Sequence, residues 1–360
     1  VSPTTPGALP PGSFKSVQAA IDAAGNDRLI TVQGYHEELL VMWKPVRLQG
    51  WGAGSSVINA VKVPSSKLEV WRQKVRNLIA EGLADALLPA QEIGAAGGVE
   101  PALLFSEEGS GILVLARDRT VAQGGFGRVG TGQNQRPNAR IDGFTIKGAD
   151  HAGGIVVNGY AHWLEIGNNR IINNNGVFGG GIRVGHPTLT VETAAGLQYQ
   201  RGFNDNIRIH HNQITQNSGL DGAGGGVALC TGSTAYQLTD NFICGNFSLG
   251  DGGGIGHLGR SDNGLITRNT ILFNETFNQG VTVSGGGVFI GGAAPLAVNG
   301  LSEGSGSVDV FRNLIQGNAA SAGDGGGIRL SRVNGQDIDN SPNNPLAWER
   351  VEIFNNMSVN

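Results

Sequence analysis

The chain is poor in charged residues, in aromatic residues and in cysteine. Charged residues make up 15% of its 360 residues and aromatic residues 6%, and the formal net charge is -4. This balance lacks the clustered positive charge with which proteins bind nucleic acid, so a nucleic-acid partner is not expected. The sequence also has no apolar run of about 18 residues, the length that a membrane-spanning helix requires, and no membrane span is predicted.

The two cysteines, Cys230 and Cys244, occur in neither a CxxC pair nor a Cys/His pattern, which excludes the usual structural zinc sites. They can form one disulfide or remain two buried thiols, because spacing along the chain does not determine the geometry that a disulfide requires. The cysteines therefore leave the redox compartment open.

Glycine is the abundant residue, with 60 of the 360 positions, more than twice the usual share of about 7%. The strict period that collagen requires is missing. Instead, glycine triplets precede Ile or Val in the stretches FGGGIRVGH, AGGGVALCT, DGGGIGHLGR, SGGGVFIGG and GDGGGIRLSR. This recurrence indicates a repeated structural unit.

An asparagine recurs with the glycine triplets and marks the same unit. An apolar residue stands three positions before it, and in all but the last unit Ile stands two positions after it. Successive anchors are separated by 28 to 44 residues, which indicates a basic unit of about 28 residues with insertions of about 15. The anchors are Asn169, Asn212, Asn241, Asn269, Asn313 and Asn356.

A period in this range is typical of a solenoid, in which each repeat buries its apolar face against its neighbours. Helical repeats are excluded, because Gly, Asn and β-branched residues dominate and no sustained 3.6-residue period appears. Each unit instead predicts three short strands separated by Asn and Gly turns. The predicted fold is all-β, a right-handed parallel β-helix of three-strand coils with loop insertions.

The asparagines and glycines have structural roles in such a fold. Asn tolerates the left-handed backbone region at a sharp bend, and stacked Asn side chains can hydrogen-bond one another from coil to coil. The glycines allow positive φ at the turn into the third strand and leave room for neighbouring coils. The residues after the triplets are expected to fill the core: Ile182, Val227, Ile255, Val288 and Ile328.

The domain organisation follows from the limits of this pattern. Residues 1–12 are predicted to be a linker, and residues 13–360 a single β-helix domain that begins with a capping helix in SFKSVQAAIDAAG. Residues 65–100 predict a helical and irregular insertion whose apolar stripe lies against the barrel. The last stretch, VEIFNNMSVN, starts a coil without completing it. We therefore expect that the chain continues or that a partner caps this end.

The sequence resembles the pectate-lyase-like superfamily of right-handed β-helices over most of residues 13–60 and 138–360. The stretch FKSVQAAIDAAGNDRLITVQGYHEELLVMWKPVRLQGWG is similar to the start of pectin esterases, and the Asn/Ile repeats are similar to coils of the superfamily and of bacterial surface proteins. The resemblance implies the fold and no particular chemistry. The paired Asp motifs of pectin esterases and the motifs of polygalacturonases are missing, and LGRSD at residues 258–262 only partly matches the arginine motif of the esterases.

Extra residues recur on one side of the predicted solenoid. They follow the third strand in residues 185–203, 291–306 and 331–349, whereas the coils that end near residues 232 and 260 turn quickly. Stacked loops make a wall, and the shorter coils leave a gap beside it. In the lyases that the sequence resembles, this strand and its loops form the polysaccharide groove.

The outward positions of the third strand carry the candidate site. Arg183 and Arg329 point outward by strand alternation, and arginine suits the recognition of carboxylate or sulfate. Phe289 is expected to be exposed in the same row and to stack beneath a sugar ring. The alternative is that the arginines are solvated side chains that keep the strand soluble. The predicted catalytic residues are Arg183, Arg329 and His186, and the predicted substrate-binding residues are Phe289, Arg260 and Arg332.

Asp251 and Asp324 stand directly before two glycine triplets. Such residues commonly form turns, and stacked carboxylates can also hold Ca²⁺, so both are predicted metal ligands. His257 aligns with inward positions and is expected to be buried and hydrogen-bonded. His210 and His211 are neighbours on a strand and are expected to point to opposite faces, which argues against a shared metal.

Two functions are consistent with these residues. The first is an extracellular β-helix that binds an acidic polysaccharide; cleavage by β-elimination would add a base near the uronate C5 proton and a cation beside the carboxylate. The second is a non-catalytic structural or adhesive segment of a large surface or secreted protein. A polar cluster confined to a few coils favours the first function, and evenly spread charge favours the second. The sequence leaves open whether the protein is an enzyme.

Overall fold

The computed structural model describes residues 1, 12–86, 108–187, 189–194, 196–220 and 224–359. Over these residues the chain winds into a right-handed parallel β-helix, as the repeats predict. Each coil adds a strand to each of three long parallel sheets, and each strand pairs with the equivalent strands of the neighbouring coils. The predicted fold class is therefore confirmed.

The strands of the three sheets follow one another in chain order within each coil. Sheet 1 consists of Leu29–Val32, Arg47–Gly50, Arg140–Asp142, Glu165–Gly167, Arg208–His210, Gln237–Thr239, Gly264–Thr267, Val308–Phe311 and Val351–Phe354. Sheet 2 consists of Gly34–His36, Ser56–Asn59, Thr145–Lys147, Arg170–Ile172, Gln213–Thr215, Phe242–Cys244, Thr270–Leu272, Leu314–Gln316 and Met357–Val359. Sheet 3 consists of Leu40–Met42, Ile112–Val114, Ile155–Val157, Ile182–Val184, Val227–Leu229, Ile255–Leu258, Val288–Gly291 and Ile328–Ser331.

Columns of aliphatic side chains point inward from the three sheets and form the core. In sheet 2 the register places Ile171 between Ile146 and Ile214 of the neighbouring coils. Burial of each such side chain stabilises the fold by about 1.5–3 kcal/mol. The predicted core residues of sheet 3 stack in the same way; Ile328 is partly buried, and the fully buried ones are Ile182, Val227, Ile255 and Val288.

The glycine triplets turn the chain into sheet 3. The first glycine of each triplet has positive φ, as at Gly252 with φ 76°. The third glycine packs closely against the next coil, since a Cβ on Gly254 would lie 2.6 Å from the carbonyl oxygen of Gly287. Both predicted roles of glycine, in turning the chain and in close packing, are therefore present.

Two asparagine ladders run along the corners of the solenoid. In the predicted ladder, between sheets 1 and 2, Asn212 Nδ2 donates to Asn241 Oδ1 at 3.0 Å. A second ladder follows sheet 2, where Asn217 Nδ2 donates to Asn246 Oδ1 at 3.0 Å. The sequence analysis missed this second ladder, whose members stand five residues after the first: Asn174, Asn217, Asn246, Asn274 and Asn318.

The left-handed residue at the first corner is the one before each anchor asparagine, so the prediction for the anchor itself is wrong. The chain turns there with φ between 53° and 57°. The anchor side chain is thereby free to point into the ladder while the preceding side chain points outward. The left-handed residues of this corner are Asn168, His211, Asp240, Arg268, Arg312 and Asn355.

A short fourth sheet lies between sheets 2 and 3 and was not predicted. Its strands are two residues long, and each begins directly after an asparagine of the second ladder. Such short segments carry no alternating pattern that a sequence could display. They are Asn175–Gly176, Ser218–Gly219, Phe247–Ser248, Glu275–Thr276 and Ala319–Ala320.

The predicted capping helix is α1, Val17–Ala23. Glu38 Oε1 accepts a hydrogen bond from the backbone N–H of Val17 at 2.8 Å, and Glu38 thereby satisfies an otherwise unpaired donor of the first turn. The apolar face of α1 joins the main core through Val17, Ala20 and Ile21.

The predicted helical insertion begins with α2, Ser66–Ala80, and a short helix α3, Gln336–Asn340, lies in the third long loop. The apolar stripe of α2 packs on the outer face of sheet 3, as predicted. The buried residues that pack together are Trp71, Val75 and Leu78 on the helix and Val41, Leu113 and Val156 on the sheet.

Parts of the predicted organisation fall outside the described residues. These parts are residues 2–11, most of the predicted linker, and residues 87–107, which include the end of the predicted insertion. Cys230 and Cys244 are separate thiols, so the alternative of a disulfide between them is not realised. In the described part of the chain, no helix has the length and apolar character needed to cross a membrane.

Candidate functional site

The outer face of sheet 3 changes from covered to open along the solenoid. Helix α2 buries the outward residues of the first strands of sheet 3. Arg183 and Ala228, the outward residues of two later strands, are also 0% exposed. Towards the C-terminal coils the face opens, and the side chain of Arg329 is 43% exposed. Among the described residues, this face is therefore accessible at its last coil.

A cavity of about 330 Å³ lies on this open stretch. Three of the charged residues singled out from the sequence line it together, namely Asp251, Arg329 and Arg332. Gly259 and Gly291 also line it. The structure thus brings into one site residues that lie two coils apart.

One wall of the cavity comes from an antiparallel hairpin in the first long loop, formed by Thr190–Thr193 and Gly196–Tyr199. The hydroxyl of Tyr199 donates to the carbonyl oxygen of Ala294 in the second long loop at 2.7 Å. The two loops form a wall, as predicted. The hairpin also spans the shorter coils between them, so the predicted open gap is bridged.

Two arginines supply the positive charge of the cavity. Arg332 is exposed, and within the described residues its guanidinium makes no hydrogen bond or ion pair. Arg329 Nη1 lies 3.5 Å from Asp324 Oδ2, a loose contact with a carboxylate that is itself 69% exposed. Both guanidinium groups therefore retain donors for a ligand.

Asp251 is the carboxylate of the cavity and is partly buried. Its Oδ1 accepts a hydrogen bond from the backbone N–H of Ser284 at 2.7 Å. Burial raises the pKa of the Asp251 carboxyl, and the Ser284 hydrogen bond and the charges of Arg329 and Arg332 oppose that shift. A carboxylate with a raised pKa is a stronger proton acceptor than one in water.

Phe289 lines the cavity but differs from its predicted state. It is 7% exposed, and its ring lies over Gly291. The prediction of an exposed stacking platform is wrong in this respect. Phe289 instead forms part of the apolar wall of the cavity.

Arg183 and His186 do not line this cavity. Arg183 points away from the core as predicted, yet it is fully buried, with Nε donating to the carbonyl oxygen of Gly185 at 2.9 Å. Its guanidinium lies 5.3 Å from the ring centroid of Phe178, and the His186 ring lies 5.8 Å from the same ring. The predicted catalytic group is therefore divided between two places, and no observation tests the predicted roles.

Arg260 also lies outside the cavity. Its guanidinium binds Glu349 at the end of the third long loop and lies 3.6 Å from Asp262. Burial raises the pKa of Glu349, and the charge of Arg260 opposes that shift. The contacts that Arg260 makes tie the third loop to the solenoid.

The predicted calcium ligands belong to one stack but are not neighbours. Ser284 separates them: it donates its backbone N–H to Asp251, and its hydroxyl accepts from the backbone N–H of Asp324 at 3.2 Å. Two coils span about 10 Å, whereas Ca²⁺ binds oxygen at about 2.3–2.6 Å. The described residues contain no group of three His, Cys, Asp or Glu side chains suited to a metal. Calcium binding stays a prediction.

His257 is buried and hydrogen-bonded, as its inward position predicts. The Tyr236 hydroxyl lies 2.9 Å from its Nδ1, and the carbonyl oxygen of Ser305 lies 2.9 Å from its Nε2. Burial lowers the pKa of His257 to about 4, so the ring is neutral at physiological pH. These contacts assign His257 a structural role inside the core.

His210 and His211 are close together, contrary to the prediction. Their Nδ1 atoms are 3.1 Å apart, because the left-handed backbone at His211 turns its side chain back towards its neighbour. His210 Nε2 lies 2.8 Å from Glu165 Oε1, and this hydrogen bond lowers the pKa of Glu165 against the opposing effect of burial.

Tyr199 and Ser284 are the site residues that the sequence analysis missed. Ser284 occupies the position before a glycine triplet that Asp251 and Asp324 occupy in other coils, and this alignment could have identified it. Residues 190–199 alternate polar and apolar side chains around a turn, which is a weak hairpin signal. The hydrogen bond of Tyr199 to Ala294, 95 residues away, has no signal in the sequence.

Two solved structures resemble this chain in overall shape. One is "The structure of rice weevil pectin methyl esterase", with a TM-score of 0.45 and 12% identity over 95% of this chain and 86% of that chain. The other is a pectin methylesterase point mutant in complex with a hexasaccharide, with a TM-score of 0.42 and 11% identity over 96% and 85% of the two chains. No protein-family model and no curated protein matches the sequence. The likeness assigns no residue of this chain a role.

Proposed function

We propose that this protein binds an acidic polysaccharide in the cavity between Tyr199 and Arg332 and acts outside the cell. The observation that carries the proposal is the convergence of Arg329, Arg332 and Asp251 on one cavity of the accessible part of sheet 3. This is a polar cluster confined to a few coils, which is the arrangement that favours a binding site over a uniform structural wall.

The arginines are the groups that recognise the polymer. A guanidinium presents parallel N–H donors that match the two oxygens of a uronate carboxylate, and such charge-assisted hydrogen bonds are about twice as strong as neutral ones. Arg332 contributes most in this proposal, because among the described residues no partner has to be displaced from it. When Arg329 binds the polymer, the one contact that it has to give up is its long contact with Asp324.

Cleavage by β-elimination is the reaction that the same residues support. Asp251 accepts the C5 proton of a bound uronate, the C4–C5 double bond forms, and the bond from C4 to the glycosidic oxygen breaks. The departing oxygen takes a proton from water. Arg329 and Arg332 offset the negative charge that builds up on the carboxylate as the C5 proton leaves. Arg183 and His186 take no part in this scheme because they do not line the cavity.

The test is electrophoresis of the protein in gels that contain polygalacturonate, alginate or pectin, with and without calcium, together with ultraviolet absorbance of unsaturated uronate products. The expected result is retardation in at least one polymer, and its loss in Arg332→Gln. Arg170→Gln is the matched control, because Arg170 is an exposed arginine on the outer face of sheet 2. The control removes the same charge away from the cavity and should migrate as the unaltered protein.

The readouts separate the two functions. The lyase is supported if the unaltered protein produces the absorbance and Asp251→Asn loses it but is still retarded. Retardation without absorbance supports binding alone. The proposal is overturned if Arg332→Gln is retarded as strongly as the unaltered protein, or if no polymer retards the protein. Either result favours the non-catalytic structural or adhesive segment. A calcium requirement for retardation would support the predicted roles of Asp251 and Asp324.

A further inference from the structure

A second cavity, of about 300 Å³, lies at the N-terminal end of the solenoid. It is bounded by the C-terminal end of α1, by the loop after α2 and by the loop that follows the second strand of sheet 3. Three cationic side chains line it, Lys44, Arg117 and Arg119, and none of the described residues that line it is acidic. It shares no residue with the cavity on the open part of sheet 3.

Lys44 holds a fixed positive charge at the edge of this cavity. Its Nζ donates to the carbonyl oxygens of Asp22 at 2.8 Å and Ala24 at 2.5 Å. These carbonyls end α1, where the helix dipole favours a cation. Burial lowers the pKa of Lys44, and the charge of Asp22 opposes that shift. An ammonium group held by two carbonyls keeps one further N–H for a ligand.

Among the described residues, Arg117 and Arg119 have few partners of their own. Arg117 Nε lies 3.6 Å from Asp85 Oδ1, and Arg119 Nη2 donates to the carbonyl oxygen of Gly82 at 3.4 Å. Both contacts are long, and each guanidinium carries five N–H donors. Most of these donors are therefore available to a ligand in the cavity.

We infer that this cavity binds a tetrahedral oxyanion, a sulfate or phosphate group. Lys44, Arg117 and Arg119 bring three positive charges, and Asp85 beside Arg117 brings one negative charge. The lining thus carries an excess of positive charge that an anion can neutralise. The charge of Asp22 also acts on Lys44, but its carboxylate binds Lys74 at 2.8 Å. Planar guanidinium groups match pairs of oxygens of such an anion, which favours sulfate or phosphate over chloride.

The chemistry fits two sources of the anion, a free inorganic ion and the ester group of a sugar. A volume of about 300 Å³ exceeds the needs of a bare ion and lies at the lower limit for small-molecule sites. Trp43 also lines the cavity beside Lys44, with Nζ of Lys44 4.4 Å from its ring centroid. The oxyanion is the shared chemistry, and the experiment below separates the sources.

The test is isothermal titration calorimetry with sodium sulfate and sodium phosphate, with sodium chloride keeping the ionic strength constant. We expect saturable binding with one site per chain. Removing one charge-assisted partner in Arg119→Gln should weaken it by about tenfold or more. Arg28→Gln is the matched control, since Arg28 is exposed and close to the cavity in sequence without lining it. It should change the affinity less than about twofold by general charge effects alone.

The outcomes are distinct. Equal weakening in Arg119→Gln and Arg28→Gln, or no heat beyond the chloride control, overturns the inference. Loss of binding in Arg332→Gln with full binding in Arg119→Gln also overturns it, because the anion then occupies the other cavity. Tighter binding of galactose 6-sulfate or glucose 6-phosphate than of the inorganic ions identifies an ester as the ligand, and weaker binding of the esters identifies the free ion. The melting temperature of each variant without anion shows whether it is folded.

Discussion

Arg183 and Arg329 occupy the same position of the sheet 3 strand in different coils, and their surroundings separate them. Arg183 is fully buried and hydrogen-bonded to the backbone of Gly185, whereas the Arg329 side chain is 43% exposed and contacts Asp324 loosely. Strand alternation determines that both point away from the core. It does not determine what covers them, and that difference decides which arginine is available to a ligand.

Replacement of the two arginines should therefore affect different properties. Arg183→Ala removes a buried charge from its partners and should lower the free energy of unfolding by about 3 kcal/mol. Arg329→Ala should leave it within about 0.5 kcal/mol and weaken polysaccharide binding instead. Urea denaturation checks the first expectation and gel retardation the second. Equal destabilisation by the two variants would contradict the assignment.

The Glu165–His210 pair predicts a pH dependence of stability. The folded pKa of Glu165 is lowered, so its contribution is present above the ordinary Glu pKa and is lost as the pH falls through the lower folded value. Glu165→Gln should cost about 1 kcal/mol at pH 7. The difference from the unaltered protein should shrink below about pH 4.

Urea denaturation at several pH values measures this difference. Glu352 stands in the same outward row of sheet 1 and forms no hydrogen bond or ion pair among the described residues, so Glu352→Gln is the control. A cost of Glu165→Gln that is unchanged down to pH 3 would show that the side chain contributes by packing rather than by charge.

Among the elements, the second asparagine ladder stabilises the corner that follows sheet 2. Asn246 Nδ2 donates to Ile214 O and to Asn274 Oδ1, both at 2.9 Å, and its Oδ1 accepts from the N–H and Nδ2 of Asn217 at 3.0 Å. The side chain is 1% exposed, so water cannot replace these partners if it is removed.

Asn246→Ala should therefore lower the free energy of unfolding by about 3 kcal/mol or more, since several buried donors and acceptors lose their partners. Asn77→Ala provides the comparison, because Asn77 is exposed on α2 and, within the part of the chain that the structure describes, its side chain bonds only Gln73. Its effect should stay within about 0.5 kcal/mol. Similar urea midpoints for the two variants would show that the ladder adds little to stability.

The elements differed in how well they could be predicted. The helix α2 was predictable because its apolar stripe repeats at helical spacing, and sheet 2 because Ile recurs in each unit. The second asparagine ladder also has a sequence signal, since an asparagine recurs five residues after each anchor except the last. The period of the repeat can be defined without it. The two-residue strands of the fourth sheet and the cluster of His210 and His211 depend on backbone angles at corners, which residue type does not determine.

At the scale of the whole molecule, each coil contacts mainly its neighbours, so the effects of core substitutions should depend on the distance between coils. Ile146→Val and Ile315→Val lie in well-separated coils, and each should lower the free energy of unfolding by about 1 kcal/mol. Their combined effect should equal the sum of the two within about 0.5 kcal/mol. Ile243→Val and Ile271→Val lie in adjacent coils, where their side chains stack, and should deviate from additivity. Double-mutant cycles in urea test both pairs, and equal coupling in the two would contradict nearest-neighbour stability.

The long loops give the molecule contacts that the coils alone do not provide. Tyr199 joins the first and second loops, and Arg260 joins the third loop to the solenoid through Glu349. The Tyr199 contact bridges the predicted gap, and both of its partners line the cavity that Asp251 and Arg332 share. The site is therefore a product of loops from several coils rather than of a single strand.

The properties that repeat along the chain were predictable from the residues alone. They are the coil period, the inward columns of Ile and Val, the positive φ at the glycine triplets, and the outward direction of Arg183 and Arg329. These follow from local periodicity and from the backbone preferences of single residues. The tertiary structure alone decided that Arg183 is buried, that Arg329 and Arg332 share a cavity with Asp251, and that Lys44, Arg117 and Arg119 surround another. The reason is that burial and proximity depend on the paths of loops that pack against residues far away in the chain, and no local pattern encodes those paths.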